Sequence, residues 1–158
     1  MPPRPEQVRE SFVALMSQTT RQWRRVLDEA LQPLGLTQAT WLALLHIARA
    51  PEPPRQKDLA ASLVVDTSSL VRVLDALQAA GYIERLEHTD RRAKTIHLTR
   101  LGKETVAQVE QVARATRRRL LAGIPQADLE TAHAVVSRIA QALADSLRDS
   151  GSEETRGG

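Results

Sequence analysis

Apolar residues recur at steps of three and four along most of the chain, a spacing that is typical of amphipathic α-helices. Two short segments alternate instead, and the polar stretch EHTDRR separates them as a hairpin turn would. The predicted order is helix, helix, helix, helix, hairpin, helix, helix. In chain order these elements are a helix from Glu6, a helix after Thr37, helices Gln56–Leu63 and Thr67–Ala80, strands Tyr82–Leu86 and Lys94–Leu98, and helices from Thr99 and across Leu129.

The predicted boundaries depend on residues that commonly begin or end helices. The sequence LQPLGL interrupts the first helix, because proline and glycine are unfavourable inside a helix. Thr37 is the predicted N-cap of the second helix and Asp66 that of the fourth, since both side chains can accept a backbone N–H bond. Gly81 is predicted to end the fourth helix in a left-handed turn. Three prolines within 50–54 predict a loop.

The helices at the two chain ends carry three apolar seams, which are more than one small protomer is expected to cover. Such heptad-like seams favour packing against a partner helix, so we predict a homodimer. The predicted fold is mainly α, a winged helix-turn-helix with a helical dimerisation layer built from both chain ends. Its segments are dimerisation helices at 6–34 and 100–149, a DNA-binding domain at 35–99, and flexible tails at 1–5 and 150–158. The seams are Phe12, Met16, Thr19, Trp23, Val26 and Ala30; Val106, Val109, Ala113, Thr116 and Leu120; and Leu129, Ala132, Val136, Ile139, Leu143 and Leu147.

Composition narrows the possible functions. The 158 residues include no cysteine, which excludes disulfides, thiol catalysis and cysteine-based zinc sites and fits a cytoplasmic protein. No apolar run approaches the roughly 20 residues that span a bilayer, and MPPRPEQVRE lacks the apolar stretch of a signal peptide. The four histidines are scattered, and no catalytic constellation is recognisable. We therefore expect no enzyme, no metal site, no cofactor and no membrane partner.

The predicted helix Thr67–Ala80 has one apolar face, and its opposite face suits contact with DNA. The Thr-Ser-Ser sequence at its start offers hydroxyls and backbone amides to phosphates. Arg72, one turn further along, can reach a guanine edge with its guanidinium. The alternative is an ordinary solvated helix face with a capped start. The candidate DNA contacts of this helix are Thr67, Ser68, Ser69 and Arg72.

The turn of the hairpin is the second candidate DNA contact. Asp90, Arg91 and Arg92 lie at its tip and Lys94 follows directly. Adjacent arginines can enter the narrow, negative minor groove, and Asp90 can hold the turn by pairing with one of them. A charged turn is often only solvated, but a pair of arginines beside a helix-turn-helix favours contact with DNA.

Two segments resemble the MarR/SlyA family of bacterial regulators, namely LVRVLDALQAAGYIERLEHTDRRAKTIHLTRLGKE and LQPLGLTQATWLALLHIA. The likeness extends from about Arg21 to Leu147, and the DRRAK wing is specific in this context. It implies an obligate dimer that binds pseudo-palindromic double-stranded DNA. By that resemblance, Ser68, Ser69 and Arg72 belong to the major-groove helix, and Arg91 and Arg92 to the wing.

The resemblance also implies a site for a small aromatic carboxylate or phenol between the two layers. The matching positions are Arg21, Arg24 and Trp41. The two arginines are three residues apart, so they can clamp a carboxylate, while Trp41 can supply an apolar wall. Alternatively, the tryptophan belongs to the core and the arginines pair with acidic residues. His46 is expected to be satisfied or exposed and not to bind a ligand.

These inferences predict a sequence-specific transcription regulator that a small aromatic effector releases from its operator. The sequence equally allows a nucleoid-associated or counter-silencing DNA-binding protein without a ligand. A winged-helix module that has lost DNA binding is a third possibility, which Arg72 and the DRR turn argue against.

Overall fold

The computed structural model describes residues 5–87 and 94–154, and within them the chain forms helices and one antiparallel hairpin. Their order agrees with the order predicted from the sequence. The chain divides into two units, Met1–Thr116 and Arg117–Gly158. The elements are α1 (Pro5–Leu31), a 3-10 turn (Gln32–Leu34), α2 (Gln38–Arg49), α3 (Gln56–Leu63), α4 (Thr67–Ala79), β1 (Ile83–Glu87), β2 (Lys94–Leu98), α5 (Arg100–Leu121) and α6 (Gln126–Glu154).

The predicted caps are present at the helix ends. Thr37 and Thr40 form a reciprocal capping box at the start of α2. Asp66 caps α4 by accepting the backbone N–H of Ser69. After α4 the chain turns at Gly81, whose φ of 76° lies in the left-handed region. Local side-chain chemistry therefore determines these boundaries, as the sequence predicted.

The first unit contains a core that holds the helix-turn-helix against the hairpin. The apolar face of α4 is fully buried, side chains from α2, α3 and β1 lie beside it, and Ile96 of β2 belongs to the same cluster. Loss of this apolar area from water is the main stabilising contribution. The most buried members of this core are Leu44, Leu59, Leu70, Leu74, Leu77, Ile83 and Ile96.

The hairpin pairs β1 with β2, with Ile83 opposite Leu98 and Glu87 opposite Lys94. The first strand begins one residue later than predicted. Tyr82 belongs to the turn after α4, because its N–H donates to the carbonyl of Leu77 at 2.9 Å. The loop before α3 also joins β2, since the Ile96 N–H donates to the Pro54 carbonyl at 2.9 Å.

The seam on α5 corrects part of the dimer prediction. Val106, Val109 and Ala113 are buried in the core of this chain itself, in one cluster with Leu27 and Leu31 of α1. The chain therefore covers most of this seam without a partner. The spacing of apolar residues identifies a buried helix face, but it does not say which chain buries that face.

The other two seams stay largely open, although they are not uniform. Phe12 of α1 is exposed and Trp23 is half-buried against the core. On α6, Leu143 and Leu147 are exposed. Helix α6 continues to Glu154, so residues 150–154 of the predicted tail are helical, because serine, glutamate and a single glycine do not force a helix to end. Residues 1–4 and 155–158 of the predicted tails lie outside the described residues.

Candidate nucleic-acid interface

Helix α4 carries an exposed polar face directly opposite its buried apolar face. Ser68, Arg72 and Asp75 are exposed, whereas Leu70 and Leu74 are buried. The helical period of 3.6 residues separates the two sets. The polar face is therefore held in place by the core on its other side, which is the arrangement that a recognition helix requires.

Asp66 occupies the N-terminus of α4 more fully than the sequence suggested. Its carboxylate accepts the Ser69 N–H at 2.8 Å and the Ser69 hydroxyl at 2.6 Å, and the Ser68 hydroxyl also donates to it. These hydrogen bonds, that of the Ser68 hydroxyl first, hold the pKa of the Asp66 carboxyl well below its ordinary value. The aspartate is thus ionised at neutral pH.

This capping arrangement uses the Ser68 and Ser69 hydroxyls that the sequence offers to phosphate, and the role of both serines in DNA binding stays a prediction. A hydroxyl has one proton, and in both residues it is donated to Asp66. The exposed Thr67 hydroxyl has no hydrogen bond within the described part of the chain. At this helix start, the groups that remain for DNA are therefore the Thr67 side chain and the backbone amides of Thr67 and Ser68, because the Ser69 amide is already donated to Asp66.

Arg72 is exposed and makes no ion pair among residues 5–87 and 94–154. Its neighbour on the same face, Asp75, instead pairs with Arg85 of β1 at 2.5 Å. The guanidinium of Arg72 is consequently available for an external acceptor. Arg85 was missed by the sequence reasoning, although its position two residues after the buried Ile83 places it on the inward side of the strand.

The wing is described only in part. Lys94 is exposed at the start of β2, opposite Glu87 in the strand register. Asp90, Arg91 and Arg92, the predicted DNA contacts at the hairpin tip, lie outside the described residues. Their predicted role in DNA binding stays a prediction.

A cavity of about 730 Å³ lies beside the N-terminus of α4. Arg24 of α1 and His46 of α2 line it, together with Val64 and Val65 of the helix-turn-helix turn and Ser69 of α4. Leu42, Leu63, Leu70 and Val73 supply further apolar wall. A mostly apolar cavity with a few polar groups is the usual form of a small-molecule site.

The structure separates the three predicted ligand-binding residues. Arg24 lines the cavity, but Arg21 does not, although it is also exposed on α1. Trp41 is only 2% exposed within the core, where its indole N–H donates to Asp28 at 3.4 Å. The tryptophan does not line this cavity and lies in the core, which is the alternative that the sequence left open. Its role in ligand binding stays a prediction.

His46 lies in the cavity wall, whereas the sequence suggested that it binds no ligand. Its Nδ1 is 3.1 Å from the Ser62 hydroxyl oxygen, and that hydroxyl donates to the Leu59 carbonyl. The hydroxyl proton is thus used, so Nδ1 of His46 carries the proton and Nε2 can accept. Burial, followed by the charges of Arg49 and Arg24, lowers the pKa of His46.

The described residues also bear on two other classes of function, metal binding and membrane insertion. Within residues 5–87 and 94–154, no three His, Asp or Glu side chains cluster to hold a metal ion. In the same part of the chain, no helix is both long enough and apolar enough to cross a membrane.

Comparison with known proteins gives consistent similarities. The model of the MarR family matches residues 34–93. The chain is 41% identical to the transcriptional regulator PA3341, with a TM-score of 0.80 over 85% of this chain and 98% of that one. It is 26% identical to apo wild-type MarR from E. coli (TM-score 0.70, 80% of this chain, 94% of that chain). It is 27% identical to CouR from Rhodococcus jostii RHA1, solved bound to p-coumaroyl-CoA (TM-score 0.71, 80% and 89%).

Proposed function

The chain belongs to the MarR family of transcriptional regulators, and we propose that it acts as a cytoplasmic homodimer that reads a pseudo-palindromic operator with α4. Members of this family are regulators and not enzymes. The observation that carries the proposal is the exposed guanidinium of Arg72, which has no ion-pair partner among the described residues. The recognition helix that holds it is buried on its other face. A free guanidinium can bind O6 and N7 of guanine together.

The apolar residues left exposed at the chain ends support a dimer. Val8, Phe12, Val13 and Leu15 of α1 are exposed, as are Val136, Leu143 and Leu147 of α6. Large side chains that recur along two helices favour association, because their burial removes apolar area from water. A two-fold dimer places two α4 helices on half-sites whose centres are about 10 base pairs apart.

We further propose that the cavity beside α4 binds a small aromatic carboxylate or phenol. Arg24 offers a cation to a carboxylate, and the apolar wall suits an aromatic ring. The related CouR, solved with p-coumaroyl-CoA, illustrates that an aromatic acyl ligand can occupy this fold. A ligand here would touch Val64 and Val65, which connect α3 to α4, and Ser69 in the first turn of α4. This cavity favours a ligand-gated regulator over a ligand-free counter-silencing protein.

Release from DNA requires that the effector prefer one conformation. A ligand that binds both conformations equally shifts no population, however tightly it binds. The proposed effector must therefore favour a position of α4 that does not match the operator. Arg24→Ala should remove the response to a salicylate-like acid while leaving operator affinity in its absence unchanged. Calorimetry with a panel of aromatic acids at millimolar concentration tests this, and an absence of binding supports the ligand-free form.

The DNA-reading proposal is tested by selecting and sequencing the DNA fragments that the purified protein binds. We expect a palindrome that two protomers occupy together. Arg72→Ala should cost about 1–3 kcal/mol on that site and relax the preference at one base pair of each half-site. Arg100→Ala is a matched control, since Arg100 is an exposed arginine of α5 that pairs with Glu104 at 3.0 Å. Equal weakening of specific and random DNA by Arg72→Ala would make it a phosphate contact, and an unselective wild type would refute the proposal.

A further inference from the structure

Arg85 and Asp75 form an ion pair between the wing and the exposed face of α4. Nη2 of Arg85 lies 2.5 Å from Oδ1 of Asp75. The arginine side chain is 23% exposed and the aspartate side chain 60% exposed. The cation is therefore the more enclosed partner, and the carboxylate belongs to the surface that carries Arg72.

The enclosure of Arg85 is unfavourable for the fold. Arg85 and the buried Ile83 share the inward side of β1, because side chains alternate along a strand. Nε of Arg85 is buried and has no hydrogen-bond partner within the described residues. A buried donor without an acceptor is destabilising, and an apolar side chain at this position would avoid that cost. Packing alone thus does not account for an arginine here.

The position of Asp75 explains what the arginine does. Asp75 lies three residues after Arg72, so the two side chains are neighbours on the helix surface. A free carboxylate there would attract the Arg72 guanidinium and would repel the phosphates of an approaching duplex. In the structure Asp75 is bound to Arg85 instead, and Arg72 has no ion pair in the part of the chain that is described.

We propose that Arg85 is a positioning residue for DNA reading, which acts by holding Asp75 away from Arg72 and by neutralising its charge. The inference rests on the proposed function, because it takes α4 as the helix that reads the operator. It assigns to one residue of the wing strand a role in the specificity of α4, separate from any contact that the wing tip makes with DNA.

The test compares Arg85→Gln, Asp75→Asn and the double variant with the wild type on the selected operator. Arg85→Gln releases the carboxylate, so we expect roughly 10-fold weaker binding per half-site and a weaker preference at the base pair read by Arg72. Asp75→Asn removes the carboxylate, and its affinity should equal or exceed that of the wild type. The double variant should return to within about twofold of the wild type, since the released group then carries no charge.

Thermal unfolding separates this role from a purely structural one. Both single variants break the same ion pair and should lower the melting temperature similarly, yet only Arg85→Gln should weaken operator binding. Arg100→Gln, which breaks the exposed pair with Glu104, controls for the loss of a surface arginine. If the ion pair only links the wing to the helix, both single variants weaken operator binding. Adding Asp75→Asn to the Arg85→Gln protein then does not restore its affinity.

Further outcomes have equally definite meanings. If Arg85→Gln does not fold, Asp75→Asn decides alone, because a loss of specific affinity in that variant contradicts the inference. A wild type that binds DNA selectively while all variants match it overturns the role of Arg85 and leaves the proposed function intact. A wild type without a preferred site overturns both.

Discussion

Replacing Gly102 by Ala should destabilise the protein, although alanine is the more favourable residue inside a helix. Gly102 is buried in the first turn of α5, against the backbone of Tyr82. A Cβ added there would lie 3.0 Å from the Tyr82 carbonyl carbon and 3.3 Å from Cδ2 of Leu98, and closer still to the Tyr82 carbonyl oxygen. The backbone would have to move to make room.

That movement would break the joint between the hairpin and α5. The Tyr82 carbonyl accepts the Thr99 N–H at 3.0 Å, and the Thr99 hydroxyl accepts the Gly102 N–H at 3.0 Å. The gain in helix propensity is about 1 kcal/mol. Overpacking costs about 1–3 kcal/mol and the loss of one hydrogen bond about 1 kcal/mol more. The expected net loss is therefore about 2 kcal/mol, a fall in melting temperature of roughly 4–8 °C.

Thermal unfolding at a fixed protein concentration measures this loss, since the stability of a dimer depends on concentration. Gly123→Ala is the matched control, because a Cβ at Gly123 meets no atom within 4 Å. That variant should stay within about 0.5 kcal/mol of the wild type. A Gly102→Ala protein as stable as Gly123→Ala would refute the argument. It would mean that the backbone at Tyr82 can move away from Gly102 without loss of stability.

Three other perturbations have definite expected results. Val64→Gly should stabilise the protein by about 1 kcal/mol in urea unfolding. Val64 has a φ of 55° and is 90% exposed, so glycine relieves backbone strain and loses little packing. A lower urea midpoint would contradict this. Replacing both Arg91 and Arg92 by Ala should make the slope of log affinity against log salt shallower by up to ~3.6 for a dimer, whereas an unchanged slope would place the wing tip in solvent. Because the pKa of His46 is lowered by burial, Arg49 and Arg24, the unfolded chain binds the proton first as pH falls below 6.5. The stabilising contribution of His46 should therefore be fully present above pH 6.5 and decline as pH falls through the lowered pKa of the folded state. In thermal unfolding, His46→Gln should flatten this decline. An identical pH profile in that variant would exclude His46 as the source of the decline.

The features that the sequence predicted correctly depend on local chemistry. Only neighbouring residues are needed to form the caps at Thr37 and Asp66 and the turn at Gly81. All three features are present. The seam on α5 was different, because its apolar spacing is the same whether the core of this chain or a partner helix covers it. Val109 is fully buried within this chain, a fact that depends on tertiary packing and not on periodicity.

In the candidate site, too, the sequence predicted the features that depend on local pattern and missed those that depend on tertiary contacts. Exposure of Arg72 follows from the helical period, which opposes it to Leu70 and Leu74. The pair between Arg85 and Asp75 joins residues ten positions apart on different elements, so no local pattern reveals it. Trp41 could equally belong to a pocket or to the core by its sequence context. In the folded chain it is 2% exposed and belongs to the core, a placement that depends on tertiary packing.

The start of α4 shows why two correct local inferences can conflict. Asp66 was predicted as a cap, and Ser68 and Ser69 as phosphate donors, but the cap uses the protons of both serines. An ionised carboxylate at this position also offsets the positive end of the helix dipole, which would otherwise attract a phosphate. If α4 reads DNA as we propose, its attraction to the duplex must then come mainly from cationic side chains. More of the binding then depends on Arg72 and the wing, and the negative charge of Asp75 beside Arg72 matters more than it would on a helix with an open N-terminus.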